Sequence, residues 1–254
     1  MLLTPEPLYK TFGGLMAVKG YKVSVAKQEI LGLMGPNGAG KTTVLNMLSG
    51  LESPSKGSVQ FDGKRLTGLV SHQVARLGLA RTFQNLRLFK EMSVLENVMT
   101  GLLVRGAYSL LDVLFPSPRL AKGNEAMRDD ALSLLSKVGL GADANMEAGK
   151  LPYGKQRRLE IARALATNPK LLLLDEPAAG MVQEEQKDLA ALLRTLRDEG
   201  LTLFVIDHNI AFLTGLCERI QVMQYGELVA EGKPSEVVKN KIVIEAYLGE
   251  EVVL

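Results

Sequence analysis

The residues Gly35-Pro36-Asn37-Gly38-Ala39-Gly40-Lys41-Thr42 constrain this chain more than any other stretch. They fit G-x-x-x-x-G-K-[ST], the pattern of a phosphate-binding loop, which requires a strand before it and a helix after it. Glu29-Ile30-Leu31-Gly32-Leu33-Met34 reads as a short buried strand, and Thr43 to Leu48 as a helix with an apolar face of Val44, Leu45, Met47 and Leu48. Glycines let the backbone turn tightly and aim successive N–H groups inward. A helix N-terminus adds partial positive charge, so the concavity favours polyphosphate. Lys41 is expected to reach the β- and γ-phosphates, and the Thr42 hydroxyl to sit on Mg²⁺.

The rest of the chain bounds what such a loop can serve. Thirty Lys and Arg against 28 Asp and Glu leave a formal charge of +2, no electrostatic footprint for nucleic acid. A length of 254 residues suits one α/β domain, with or without a helical insertion, and can bury a large core. Cys217 is the single cysteine, so no internal disulfide forms; a reducing compartment and a small buried apolar role are expected. No apolar run reaches the roughly eighteen residues of a membrane span. Met1 to Pro7 lacks a basic region and a cleavage pattern and is not read as a signal peptide.

Along the chain, Leu8-Tyr9-Lys10, Val18 to Val25 and Ile30 to Met34 read as small antiparallel strands leading into the loop. Phe12 stands at a glycine turn, where an aromatic can stack on a purine or serve the core. Val18 suits either adenine packing or strand core. Gly57 to Gly63 reads as a strand closed by the Asp62-Gly63 turn, and Ser71 to Leu77 as a short helix with an exposed His72. Leu79 to Gln84 reads as a strand ending in glutamine. Residues 101–150 look helical, broken by a loop from Ser109 to Arg119 with Pro116 and Pro118. This region is either an ordinary packing subdomain or one that faces a partner. Leu171-Leu172-Leu173-Leu174 is a run suited to a central parallel strand, ending in Asp175-Glu176. Leu203 to Ile206 repeats the pattern and ends in Asp207-His208. Ile220 to Gln224 and Glu227 to Ala230 read as a hairpin, and Pro234-Ser235-Glu236 as a helix start.

Gln84, Asp175-Glu176 and His208 thus emerge at strand tips. Open α/β sheets bind ligands at such carboxyl ends. Asp175 is suited to hold Mg²⁺ beside Thr42, and Gln84 to orient the attacking water or complete the metal shell. Glu176 is suited to take the proton of that water, the alternative being a plain loop acid before Pro177. His208 is suited to donate a hydrogen bond to the γ-phosphate as charge develops.

With these residues in view, the chain resembles the ATP-binding subunits of ABC transporters over nearly its whole length. The resemblance rests on the phosphate loop, on Arg81-Thr82-Phe83-Gln84-Asn85, on Leu171 to Glu176 and on His208. It rests above all on Leu151-Pro152-Tyr153-Gly154-Lys155, a signature loop, followed by Gln156 to Leu165. It implies an α/β P-loop NTPase core with a mostly parallel sheet, a small antiparallel β subdomain and a helical signature subdomain. The single domain would span 1–254, with the helical subdomain inserted at about 86–166. The nucleotide-binding set is then Phe12, Gly35, Pro36, Asn37, Gly38, Ala39, Gly40, Lys41, Thr42 and Thr43. The catalytic set is Glu176, His208 and Gln84, and the metal set Thr42, Gln84 and Asp175, serving ATP and Mg²⁺.

Arg81 to Gln84, Glu91 to Val98, Tyr153-Gly154, Glu176 to Gly180 and Ala246 to Gly249 are similar to importers of branched-chain or neutral amino acids. That branch implies a second ATP-binding subunit, in a heterodimer or a homodimer, with two membrane permease subunits and, indirectly, a solute-binding protein. It places the chain peripherally on the cytoplasmic face of the inner membrane.

Two departures stand out. Pro152 replaces the family's signature serine, with neither a hydroxyl nor an N–H to offer. Lys155 adds positive charge that compensates in part. Val182 stands where Asn or Asp is common. Two other readings follow: a nucleotide-binding subunit of weak hydrolysis, and an ABC-type ATPase not coupled to transport. Against the second stand the near-neutral charge, the single cassette and the lack of heptads.

Overall fold

The computed structural model describes residues 1–105 and 118–248. Its centre is a six-stranded sheet in the order β11-β10-β4-β9-β8-β7. The strands are β4 (Ile30–Met34), β7 (Leu79–Arg81), β8 (Leu171–Asp175), β9 (Thr202–Ile206), β10 (Arg219–Gln224) and β11 (Glu227–Gly232). All neighbours pair in parallel except the β10–β11 hairpin.

Every residue of β4, β8 and β9 is buried. Alternate side chains feed two cores, as the two-residue period of a strand covered on both faces requires. Leu172, Leu174, Leu203 and Val205 join one core; Leu171, Leu173, Phe204 and Ile206 join the other.

The second core also takes in α1 (Lys41–Leu48), the helix behind the phosphate loop, through Val44, Leu45, Met47 and Leu48. Two small antiparallel sheets complete that side. One pairs β1 (Leu3–Pro5) with β5 (Val59–Phe61) and β6 (Lys64–Arg65); the other is the hairpin of β2 (Leu8–Phe12) and β3 (Leu15–Tyr21). Helix α2 (Ser71–Arg76) leads into β7, with His72 exposed as expected.

The first core is capped by α3 (Val94–Leu102), α4 (Pro118–Lys137) and α5 (Tyr153–Leu165). Helix α3 starts on a reciprocal cap. Ser93 Oγ accepts from Glu96 N at 3.1 Å, and Glu96 Oε2 accepts from Ser93 N at 2.8 Å. Helices α6 (Gln183–Asp198), α7 (Ile210–Leu216), α8 (Pro234–Val237) and α9 (Lys241–Leu248) follow.

Three expectations need correction. Ile30 to Met34 is not part of an antiparallel set; its fully apolar sequence places it at the sheet centre, between β10 and β9. The strand before Gln84 stops at Arg81, and Gln84 lies in the exposed loop beyond it. The expected loop reached Arg119, but α4 begins at Pro118, where proline suits a first helical turn. The part from Ser109 to residue 117 lies outside the described residues. Cys217 is buried as expected.

Candidate nucleotide site

Strand β4 runs into the loop at Gly35, and α1 leaves it at Lys41. Two of the glycines are dictated by close approach. A Cβ on Gly35 would lie 2.1 Å from the Met223 carbonyl oxygen, and one on Gly40 would lie 2.5 Å from that of Ala17. Gly40 has φ +102° and caps α1 without a side chain. The first-turn N–H groups of α1 are therefore available to an anion. Gly226 N donates to Ala39 O at 3.0 Å, and Lys19 N donates to Gly226 O at 2.8 Å, so the β10–β11 turn braces the loop against β3. Lys41 is largely buried, and its ammonium donates to the carbonyls of Gly35 at 2.6 Å and Pro36 at 2.8 Å. A cradle this narrow, with a cation across it, fits a polyphosphate.

The three predicted catalytic residues converge on one carboxylate. Gln84 Nε2 donates to Glu176 Oε2 at 3.1 Å, and His208 Nδ1 stands 3.8 Å from the same oxygen, too far for a hydrogen bond. Glu176 has φ +48°, unusual for a residue with a side chain, and its N–H is held by Ile206 O at 2.8 Å. Such a backbone costs on the order of 1–3 kcal/mol and persists only when its surroundings impose it. Here the imposition comes from β9.

Asp175, one residue earlier, is buried and pairs with Arg81, Nη2 to Oδ2 at 2.9 Å. Thr42, Asp175 and Gln84 offer hydroxyl, carboxylate and amide oxygens, a donor set that suits Mg²⁺ completed by phosphate and water. No group of three or more His, Cys, Asp or Glu able to hold a metal is found among the described residues. The chemistry of the donors therefore fits a metal bound together with a nucleotide rather than one caged by the protein.

Phe12 ends β2 and is exposed, with the Lys10 ammonium 4.8 Å from its ring centre. Val18 is fully buried and belongs to the core. In the signature loop, Leu151 is buried, and Pro152 is the N-cap of α5 with no side-chain hydrogen bond. Tyr153 and Gly154 face the segment after Glu176. A Cβ on Gly180 would meet the Tyr153 ring at 3.3 Å, and one on Gly154 would meet Glu185 Oε1 at 2.6 Å. Lys155 is engaged with Asp143 at 2.8 Å, so the charge expected to offset Pro152 is shared with a carboxylate.

The sequence motifs take in four polar residues whose part in shaping the site the sequence did not show. Arg81 is one. Arg157 and Glu160 are a buried pair on α5 that grips the Gln84 loop. Glu160 Oε1 accepts from Phe83 N at 3.1 Å, and burial pushes its carboxyl above the ordinary range against that bond and the Arg157 charge. Asp207 is the fourth. It is fully buried and accepts from Asn209 N at 2.9 Å and Ala178 N at 3.3 Å. Burial raises its carboxyl too, against those two N–H bonds. The one available signal was a charged residue on an otherwise apolar helix face or strand tip.

A glycine cradle between a parallel strand and a helix, with carboxylates at the tip of a strand in the same sheet, defines a P-loop nucleotide-binding protein. The family model described as ABC transporter matches residues 18–179, more than half of the chain, and the chain belongs to that family. A second model, described as branched-chain amino acid ATP-binding cassette transporter, matches residues 227–253. The chain is 42% identical over 250 residues to the high-affinity branched-chain amino acid transport ATP-binding protein BraF of Pseudomonas aeruginosa, covering 98% of each. It is equally similar, at 42% and 98% of each, to LivG of Escherichia coli, which bears the same description. Among solved structures, the ADP conformation of MJ1267, an ATP-binding cassette of an ABC transporter, matches with a TM-score of 0.87 at 33% identity, over 98% of both chains.

Proposed function

We propose that this chain is the ATP-hydrolysing subunit of an ABC importer for branched-chain or other neutral amino acids. The observation that carries the hydrolytic role is Glu176, held in a left-handed backbone between Gln84 and His208 at the tip of β8, two strands from the one that enters the phosphate loop. The amino-acid class is supported by the relatives' names and the match of residues 227–253.

The residues divide the work. The loop from Gly35 to Thr43 and Lys41 hold the β- and γ-phosphates, and Phe12 stacks on the adenine. Thr42 and Asp175, with Gln84, would hold Mg²⁺, which would supply positive charge against the phosphates. Glu176 takes a proton from water as the water oxygen bonds to the γ-phosphorus. The bond from that phosphorus to the β–γ bridging oxygen breaks, leaving ADP and phosphate. His208 donates a hydrogen bond to the γ-phosphate as its charge shifts. Gln84 orients the water.

Two cassettes meet head to tail, each presenting Leu151 to Lys155 to the other's loop. The partner is a second ATP-binding subunit, in a heterodimer or a homodimer. ATP favours the closed pair by binding it better. One of two permease subunits docks on this chain, at a groove of about 510 Å³ whose lining includes Phe83, Arg87 and Phe89. A solute-binding protein delivers the amino acid to the two permease subunits. Among the described residues no helix is long and apolar enough to cross a membrane. The chain is held by its partners at the cytoplasmic face of the inner membrane. Pro152 makes the signature weak, because α5 has no side-chain cap and Lys155 is shared with Asp143.

The test is uptake of labelled leucine, isoleucine and valine by cells whose only copy of this chain carries Lys41→Ala. Uptake of all three falls while that of an acidic amino acid does not. Unchanged uptake contradicts the assignment.

A further inference from the structure

Arg81 is the last residue of β7, and its side chain is 7% exposed. Its guanidinium joins two elements that carry the site. Nη1 donates to Asn46 Oδ1 at 2.7 Å on α1 and to Ser49 Oγ at 3.2 Å at the end of that helix. Nη2 donates to Asp175 Oδ2 at 2.9 Å at the tip of β8. Helix α1 is also the element whose first turn presents Thr42.

We propose that Arg81 is a positioning residue for the metal: it clamps Asp175 by one oxygen and ties it to the helix that bears Thr42. The inference rests on the reading above that Thr42 and Asp175 hold Mg²⁺. The clamp takes only Oδ2. Asp175 Oδ1 has no hydrogen-bond partner among the described residues and is the oxygen left for the metal or its water. A carboxylate pinned at one oxygen cannot rotate its second away, the way outer partners orient metal ligands elsewhere.

A second observation separates this role from plain stability. Arg81 Nε is buried without a hydrogen-bond partner. A buried donor left unpaired is unfavourable. A buried ion pair is in any case often no more stabilising than apolar packing. The geometry satisfies Asp175, Asn46 and Ser49 at the expense of the arginine itself, which is the pattern of a position kept for a site.

The experiment titrates Mg²⁺ against binding of a fluorescent ATP analogue to the whole chain, for wild type, Arg81→Met and Arg81→Lys. In EDTA, Arg81→Met binds the analogue within about twofold of wild type, because Lys41 and the loop are untouched. Its half-saturating Mg²⁺ concentration rises by about tenfold, the scale of losing an outer partner, and Arg81→Lys falls between. A Mg²⁺ curve for Arg81→Met that overlays wild type, even with a lowered melting temperature, overturns the inference and leaves Arg81 purely structural. If Arg81→Met does not fold by circular dichroism, Asn46→Ala takes its place. It removes the α1 end of the clamp, and it shifts the curve in the same direction or overturns the inference. If the wild type binds the analogue without regard to Mg²⁺, the metal reading itself fails, and this inference with it.

Discussion

Arg157 Nη2 donates to the backbone carbonyl of Gln84 at 2.6 Å, so the helix that follows the signature loop holds the loop that follows β7. The same guanidinium donates through Nη1 to Phe83 O at 2.9 Å and through Nε to the Tyr153 hydroxyl at 3.1 Å. Glu160 closes the ring from α5 by accepting from Phe83 N. Any displacement of α5 therefore carries Gln84 with it, and Gln84 is bonded to Glu176.

Removing the arginine alone leaves Glu160 buried without the Arg157 charge, though it still accepts from Phe83 N. Arg157→Met is expected to lower unfolding free energy by about 3–5 kcal/mol, the usual scale for breaking a buried pair from one side. Adding Glu160→Gln restores part of that loss, because the remaining side chain is then neutral. A urea-denaturation cycle over the two sites measures it. Equal and additive losses would show that the pair is not coupled.

Pro152 has φ −54° and ψ 151°, a backbone that serine adopts freely. In Pro152→Ser the hydroxyl gains a first-turn N–H of α5, so the chain is stabilised by about 0.5–2 kcal/mol, the usual worth of such a cap. In the assembled transporter the same change raises the ATPase rate, since the partner's nucleotide then meets a complete signature. Thermal denaturation of the chain and hydrolysis by the complex read the two effects separately. A stabilised chain with an unchanged rate would make Pro152 a structural matter only.

Asp207 ties His208's loop to the backbone at Ala178, and burial raises its carboxyl above the ordinary Asp value. The folded chain then binds a proton more readily than the unfolded chain does. The associated stability is present below the ordinary Asp range and is lost as pH rises through the raised value. Asp207→Asn lacks this term. The melting temperature of wild type minus that of Asp207→Asn therefore falls as pH rises from acid toward neutral. A difference that stays flat over that range would contradict the assignment.

The sheet was legible because its strands carry continuous apolar runs. Leu171 to Leu174 and Leu203 to Ile206 admit little besides buried parallel strands. Ile30 to Met34 was given the wrong neighbours because a short apolar strand says nothing about which strands flank it. The phosphate loop, Glu176 and His208 were legible because glycine spacing and strand-tip polarity are local signals. Arg81, Arg157 and Asp207 were not. Their partners lie 94, 73 and 29 residues away in sequence, and a buried arginine looks like any surface charge until the fold closes over it. Lys155 was legible as a charge, but its engagement by Asp143 was not, for the same reason.

The most direct test of the central claim is ATP hydrolysis by the purified chain in Mg²⁺, beside Glu176→Gln, with size-exclusion chromatography in ATP. The wild type is predicted to turn over, and Glu176→Gln to bind ATP, accumulate as a dimer and lose activity by at least about a hundredfold, the scale of losing a general base. Turnover by Glu176→Gln at the wild-type rate would contradict the account, since the carboxylate that Gln84 and His208 surround would then not be the base.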